Sequence, residues 1–265
     1  MLPPLRPVAF DIIKPMKAGT QKLLALARVE WRLRQQSTFL GFLWTLLNPA
    51  LMFAVLYGLF VKWLGRAQGD YAVFLLVGLV QWNFFASATS YSLSSLLRRA
   101  PLLKSYPLPL EAPALASVLS VYFSHLLELG ALALILTFFQ GPPAASWLWL
   151  LAIDASYLAL AAGTGLLLAG LFVFFSDLER IWTILLTAGF FLTPVFYPLD
   201  VIAPGKAALL AYSPLTAVIE GSRAAFAGGA PGAAALLIPW LWAAAALAAG
   251  FALLRLKRRA IGDAL

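Results

Sequence analysis

Ionisable side chains stand at regular intervals in residues 28–34, directly before a long apolar stretch. Because a helix turns about 100° per residue, Arg28 and Arg32 fall on one narrow face with Gln21 and Gln35, opposite a wide apolar arc. Such a helix lies in a membrane interface with its arginines toward water and phosphate. Arginine binds phosphate through paired hydrogen bonds, so this face can recognise a phosphorylated lipid. The same pattern also fits a helix that only anchors the chain on anionic phospholipid.

Glu30 and Arg34 break this pattern, because both lie inside the apolar arc. Their i,i+4 spacing, with the acidic residue first, lets each charge neutralise the other.

Three further ionisable residues, His125, Glu128 and Asp154, lie within apolar segments. Such groups are costly in a membrane and indicate either a polar pair satisfied inside the helix bundle or the lining of a transport path. One histidine and one neighbouring carboxylate supply too few ligands for a metal site, and we expect no metal and no catalytic residue here.

The composition is that of a membrane protein. The chain is 62% hydrophobic and 11% charged, against about 25% charged in soluble domains. The 265 residues allow a single membrane domain, and the absence of Cys excludes disulfides and thiolate chemistry. The net charge of +8 is distributed as in a membrane protein, so we expect no nucleic-acid partner.

Six hydrophobic segments are candidates to cross about 30 Å of hydrocarbon. They lie near 39–61, 71–93, 113–139, 147–175, 181–197 and 233–254. The segment 197–232 is apolar but interrupted by Pro and Gly, and we predict two short helices there that re-enter the membrane from outside. Ser213-Pro214 is a helix start, so the second short helix is expected to begin at Pro214 and to end before Gly228. The predicted fold is all-α.

The positive charges indicate the orientation. Of the 19 Lys and Arg residues, 15 lie in the N-terminal segment, in the loops after the second and fourth spans, and in the C-terminal tail. The excess marks the cytoplasmic side, so both termini are expected there.

The loop of residues 94–113 is the second informative stretch. Its four prolines prevent it from continuing either neighbouring span as a helix. It carries Arg98, Arg99 and Lys104 among leucines that we expect to be exposed. A short amphipathic helix of this kind suits docking onto a soluble partner, while an ordinary positively charged loop is the alternative.

Taken in order, these motifs resemble the membrane subunit of a type-two ABC exporter, in the branch that exports O-antigen, capsule and teichoic acid chains. The first span and the helix before it match at Glu30, Arg32, Arg34, Leu40, Gly41, Trp44 and Pro49. Further matches are Lys104, Tyr106, Pro107, Phe174-Phe175, Asp177, Thr193-Pro194, Tyr197-Pro198, Ser213-Pro214-Leu215-Thr216 and Arg223. The chain departs from the family pattern at Gln35, Ser176 and Ser213.

The resemblance implies a homodimer of six-span subunits in a bacterial inner membrane, paired with two separate ATPase subunits that bind ATP and Mg. It implies a gate helix over residues 20–37 and an ATPase-coupling loop over 94–113. The gate candidates are Arg28, Glu30, Arg32, Arg34 and Trp44, and the coupling candidates are Arg98, Arg99, Lys104 and Tyr106. Tyr197, Glu220 and Arg223 belong to the outer segment, where the last two can pair or meet substrate.

The sequence agrees that ATP is bound elsewhere, because it has no G-x-x-x-x-G-K-[ST] loop to hold phosphates. Gly163-Thr-Gly165 lies within a span and is better explained by close helix packing than by a dinucleotide site. Two alternatives remain open, an exporter of small molecules or drugs and a membrane-embedded prenyl-phosphate glycosyltransferase. The second would need acidic clusters on its loops, whereas the 11 acidic residues here are scattered.

Overall fold

The computed structural model describes residues 19–36, 43–63, 65, 71–106, 108–141 and 144–265. The described part contains helices and no strand, so the all-α fold is confirmed. The helices of the first half are α1 Gly19–Gln36, α2 Leu43–Tyr57, α3 Tyr71–Leu93, α4 Ser95–Arg98, α5 Ala100–Ser105 and α6 Ala112–Gln140. Those of the second half are α7 Trp149–Phe172, α8 Leu178–Leu192, α9 Pro204–Ala211, α10 Pro214–Phe226, α11 Ala233–Leu256 and α12 Arg258–Ala264.

Four helices of the described part are long and apolar enough to cross a membrane: α3, α6, α7 with the short 3₁₀ turn before it, and α11. They coincide with four of the six expected segments. The first segment is represented by α2 and the π-helical turn Gly58–Trp63 that continues it, with Pro49 inside the helix. The count of six spans remains a prediction.

The fifth expected segment, 181–197, is shifted and shortened in the structure. Its helix, α8, begins at Leu178 and ends at Leu192. Thr193 is extended, with φ −83° and ψ 141°, because the ring of Pro194 disfavours the helical conformation in the residue before it. With 15 residues, α8 spans only about 22 Å.

Glycines allow the long helices to approach closely. A Cβ on Gly163 would lie 2.5 Å from the backbone nitrogen of Leu247, so α7 and α11 pack almost backbone to backbone. A Cβ on Gly165 would lie 2.5 Å from the hydroxyl of Ser92 on α3. Both residues of the Gly-Thr-Gly motif therefore serve helix packing, as small residues do in membrane helices.

The 94–113 loop folds into the two short helices α4 and α5, and Pro101 occupies the first turn of α5. Leu96 of α4 is fully buried in a cluster with Ala169 of α7, Leu254 of α11 and Ile261 of α12. The loop is thus supported from below by two long helices and by α12.

Two short helices, α9 and α10, occupy the expected outer segment 197–232. Pro214 is the first residue of α10, which ends at Phe226 before Gly228. Ser213 stands at the N-cap position, although its hydroxyl makes no capping hydrogen bond. The re-entry of these helices into the membrane remains a prediction.

Candidate functional site

Helix α1, predicted to lie in the membrane interface, is held against α6 by polar contacts. Ser117, Ser120 and Ser124 lie three and four residues apart, which places them on one face of α6. The indole N–H of Trp31 donates to Ser124 Oγ at 3.2 Å. Arg34 Nη2 donates to Ser124 Oγ at 2.6 Å and to the Ser120 carbonyl at 3.1 Å. The charged end of α1 is therefore seated on a hydroxyl-lined face rather than in lipid.

Glu30 lies where α1, α6 and the 94–113 loop meet. Ser117 Oγ donates to Glu30 Oε1 at 2.9 Å. The same oxygen is 3.5 Å from Arg98 Nη2 and 3.9 Å from Arg99 Nη2. The side chain of Glu30 is only 12% exposed, and among the described residues its Oε2 has no hydrogen-bond partner. Glu30, which lies within the apolar arc of α1, therefore faces Arg98 and Arg99 of the 94–113 loop.

Tyr91, near the end of α3, lies between two guanidinium groups. The carbon of the Arg34 guanidinium is 5.1 Å from the ring centroid and that of Arg98 is 5.7 Å away, within the range of cation–π attraction. Arg98 Nη2 also donates to the Tyr91 carbonyl at 2.7 Å. Burial lowers the pKa of Arg34, and the nearby phenol group of Tyr91 and carboxylate of Glu30 act in the opposite direction.

A cavity of about 490 Å³ opens at this junction. Its lining, which we call the arginine pocket, consists of Glu30, Leu33, Arg34, Tyr91, Arg98, Arg99, Ser117 and Ser120. Three positive charges line the pocket together with one negative charge, two serine hydroxyls and the phenol of Tyr91. An arrangement of this kind can bind an anionic group such as phosphate, because arginine offers several donors in a fixed plane.

The other predicted gate and coupling residues lie outside this pocket. Arg28 and Arg32 are exposed on the outer face of α1, and Lys104 is exposed on α5. Tyr106 is half-buried at the C-cap of α5. Trp44 lies in the first turn of α2, and its side chain is outside the described part of the chain.

Tyr91, Ser117 and Ser120 were missed by the sequence reasoning. The serine spacing at 117, 120 and 124 is a helical face and could have indicated the docking surface of α1.

His125, Glu128 and Asp154 are buried inside the helix bundle. His125 Nε2 is 3.8 Å from Asp154 Oδ1, and the His125 ring stacks on Phe84 with centroids 4.4 Å apart. The side chain of Asn83 hydrogen-bonds the carboxyl group of Glu128. No cluster of three or more metal-ligating His, Cys, Asp or Glu residues occurs within the described ranges. Both ring nitrogens of His125, Oδ1 of Asp154 and Oε2 of Glu128 have no hydrogen-bond partner among the described residues. A fully satisfied polar pair is therefore not seen, and the two interpretations of these residues stay predictions.

Arg223 joins three elements, which are its own helix α10, helix α3 and the turn after α8. Its guanidinium donates to the carbonyls of Phe74 on α3 and of Pro194 and Val195 in the turn after α8, and it pairs with Glu220 Oε1 at 2.7 Å. Tyr197 closes the same turn by donating to the carbonyls of Phe191 and Leu192 at the end of α8. Glu220 and Arg223 are thus in contact with each other, and Arg223 binds backbone.

A second cavity, of about 430 Å³, lies between α2, α3 and α8. We call it the aromatic groove; Pro49, Met52, Leu79, Trp82, Asn83, Ala86, Leu186, Thr187, Phe190 and Phe191 line it. It is mainly apolar, with one amide and one hydroxyl.

Comparison with known proteins identifies the family of the chain. The family described as ABC-2 type transporter matches residues 21–227, from α1 to the end of α10. The chain belongs to this family. As an ABC-2 type membrane subunit it is a multi-pass transport protein and not an enzyme, and ATP is hydrolysed on a separate subunit.

Curated relatives in the family are named for polysaccharide export. The chain is 30% identical over 209 residues to the O-antigen export system permease protein RfbA of Klebsiella pneumoniae, covering 78% of this chain and 80% of the relative. It is 29% identical over 237 residues to RfbA of Myxococcus xanthus, covering 85% and 90%. It is 27% identical over 211 residues to the polysialic acid transport protein KpsM of Escherichia coli, covering 77% and 81%. The ABC-2 family assignment made from the motifs is confirmed.

Proposed function

We propose that this chain is the permease through which an ATP-driven exporter moves a lipid-linked polysaccharide from the cytoplasmic to the outer side of a bacterial inner membrane. The observation that carries the proposal is the arginine pocket, which places three guanidinium groups where the interfacial helix meets the 94–113 loop. A lipid carrier with a phosphate headgroup would bring charge of the opposite sign to this point. The relatives' names supply the polymer class, and the distribution of Lys and Arg supports cytoplasmic termini.

The 94–113 loop is the proposed dock for the ATPase subunits, which hold ATP and Mg. Leu97 is 41% exposed on α4, and Lys104 is exposed on α5, so an apolar and a basic contact face outward together. The buried side of the loop rests on α7, α11 and α12 through Leu96. A push from the partner would therefore reach the long helices directly.

The dock is tested with Leu97→Asp combined with Lys104→Glu, two residues outside the arginine pocket. We expect loss of ATPase co-purification without loss of membrane insertion. The apolar contact of Leu97 and the basic contact of Lys104 are both replaced by negative charge. Val201→Asp with Lys206→Glu is the matched control, since Val201 and Lys206 are exposed in the outer segment. Unchanged co-purification of the Leu97/Lys104 variant contradicts the dock.

The substrate class is tested on the permease–ATPase complex in lipid nanodiscs. We expect ATP hydrolysis to rise on addition of a lipid-linked polysaccharide and not on addition of hydrophobic dyes. Stimulation by dyes alone favours the small-molecule exporter instead.

We further propose that two copies of the permease and two ATPase subunits form the complex. The aromatic groove is open on one side, and α8 beside it exposes Ile181, Ile184 and Leu185. A second copy facing this side would close the two grooves into one path.

A further inference from the structure

We infer that Glu30 is an internal counter-ion of the arginine pocket, and that a substrate phosphate replaces it and thereby releases the 94–113 loop from α1. The inference rests on the proposed function and adds to it a mechanism by which arrival of the headgroup is sensed.

The first step is that Glu30 is weakly held. Its distances to Arg98 and Arg99, 3.5 and 3.9 Å, exceed the 2.7–2.9 Å or so of a strong charge-assisted hydrogen bond. Its one short bond comes from a neutral hydroxyl, that of Ser117. Oε2 of Glu30 is buried and has no hydrogen-bond partner among the described residues. Burial of an unpaired carboxylate oxygen costs desolvation free energy that no hydrogen bond offsets.

The second step is that the pocket suits a larger anion. The cavity of about 490 Å³ lies within the range of small-ligand sites and far exceeds the volume of one carboxylate. Its lining carries three guanidinium groups, so a diphosphate would match the charge better than Glu30 alone. Arg98 is 40% exposed and Arg99 is 27% exposed, so both can be reached from the cytoplasmic side.

The third step is the position of the two arginines. Arg98 is the last residue of α4, and Arg99 is the residue between α4 and α5. Their contacts with Glu30 therefore connect the joint of the 94–113 loop to α1. An anion that takes over Arg98 and Arg99 removes this connection, and the joint gains freedom at the surface proposed to meet the ATPase.

Glu30→Gln in the permease–ATPase complex tests this exchange. The amide keeps the shape and removes the competing charge, so we expect basal ATP hydrolysis to rise toward the stimulated rate. The apparent affinity for inorganic pyrophosphate should increase about tenfold, the scale set by one charge-assisted contact. Glu179→Gln, which neutralises an exposed carboxylate at the start of α8, is the matched control and should behave as the unmodified complex.

Ser117→Ala gives an independent test that leaves every charge in place. Loss of its hydroxyl removes the one short hydrogen bond of Glu30, and we expect an intermediate rise in basal hydrolysis. If basal rate and pyrophosphate affinity are unchanged in both variants, the exchange is overturned.

Three ligands separate the possible sources of phosphate: inorganic pyrophosphate, a short-chain polyprenyl pyrophosphate, and vesicles of phosphatidylglycerol. The exchange with a lipid carrier is supported if the polyprenyl pyrophosphate stimulates ATP hydrolysis by the unmodified complex but not by Glu30→Gln. The variant shows no further stimulation because its basal rate is already raised. Equal stimulation by phosphatidylglycerol, also lost in Glu30→Gln, supports the exchange but contradicts the proposed substrate. The failure of the two proposals is therefore distinguishable.

Discussion

Arg28 and Arg32 are both exposed on α1 and lie outside the arginine pocket, unlike Arg34 of the same helix. Their outward position fits first contact with a phosphorylated lipid in the cytoplasmic leaflet. The two fork-shaped guanidinium groups would then pass the headgroup to Arg34, Arg98 and Arg99.

Replacing both residues conservatively, as Arg28→Lys with Arg32→Lys, separates charge from geometry. Lysine keeps the positive charge but lacks the planar pair of donors, so we expect export to fall severalfold while membrane association stays unchanged. Export is measured as polysaccharide at the cell surface, and association by fractionation. Full export in the lysine variant would show that attraction to anionic lipid is sufficient.

At the scale of elements, the outer helices α9 and α10 show opposite characters. Most of α10 is buried against α3 and α7, whereas Leu209 of α9 and Tyr212 just after it are 74% and 70% exposed. In water these two side chains would form an apolar patch, and in a membrane they would face lipid.

Single cysteines distinguish the two environments, because the chain has no cysteine of its own. We expect Lys206→Cys to react with a membrane-impermeant thiol reagent added from outside. Leu209→Cys and Tyr212→Cys should react only after denaturation, since lipid covers them, and Val218→Cys should be protected by protein. Equal labelling at 206, 209 and 212 before denaturation would indicate a plain surface loop.

The long elements could be predicted because each is an apolar run of sufficient length, and the helix start at Pro214 because proline suits the first turn. The predicted end of the fifth segment, residue 197, lies beyond the observed end of α8 at Leu192. The sequence stays hydrophobic after Thr193, but the helical backbone conformation ends there because Pro194 follows. The partners of Glu30 were not predictable, because the i,i+4 rule considers neighbours on one helix and Arg98 lies 68 positions away in the sequence. No sequence pattern around Tyr91 indicated its place in the pocket. Its contacts are with Arg34 of α1 and Arg98 of α4, which only tertiary packing brings to it.

For the whole molecule, the proposed pairing of two permeases makes a prediction about α8. Its exposed Ile184 should lie near Ile184 of a second copy. A two-fold axis that runs beside α8 and parallel to it brings identical positions of the two copies together. Ile184→Cys should therefore form a disulfide-linked dimer on mild oxidation in membranes. Leu241→Cys, equally exposed on α11, is the control and should remain monomeric. The reverse pattern would place the pairing surface on α11.

The Arg223 cluster has a mechanical consequence. A Cβ on Gly78 of α3 would overlap the carbonyl oxygen of Val195 and approach Arg223 Nη2 to 2.7 Å, so α3 and the turn after α8 touch without a side chain between them. Sliding of α3 against this turn would break up to four hydrogen bonds of one guanidinium, two to Phe74 on α3 and two to Pro194 and Val195 in the turn. We therefore expect α3, α10 and the turn after α8 to move together at this joint. Any displacement that the proposed dock imposes on α3 would then carry α10 and the turn after α8 with it.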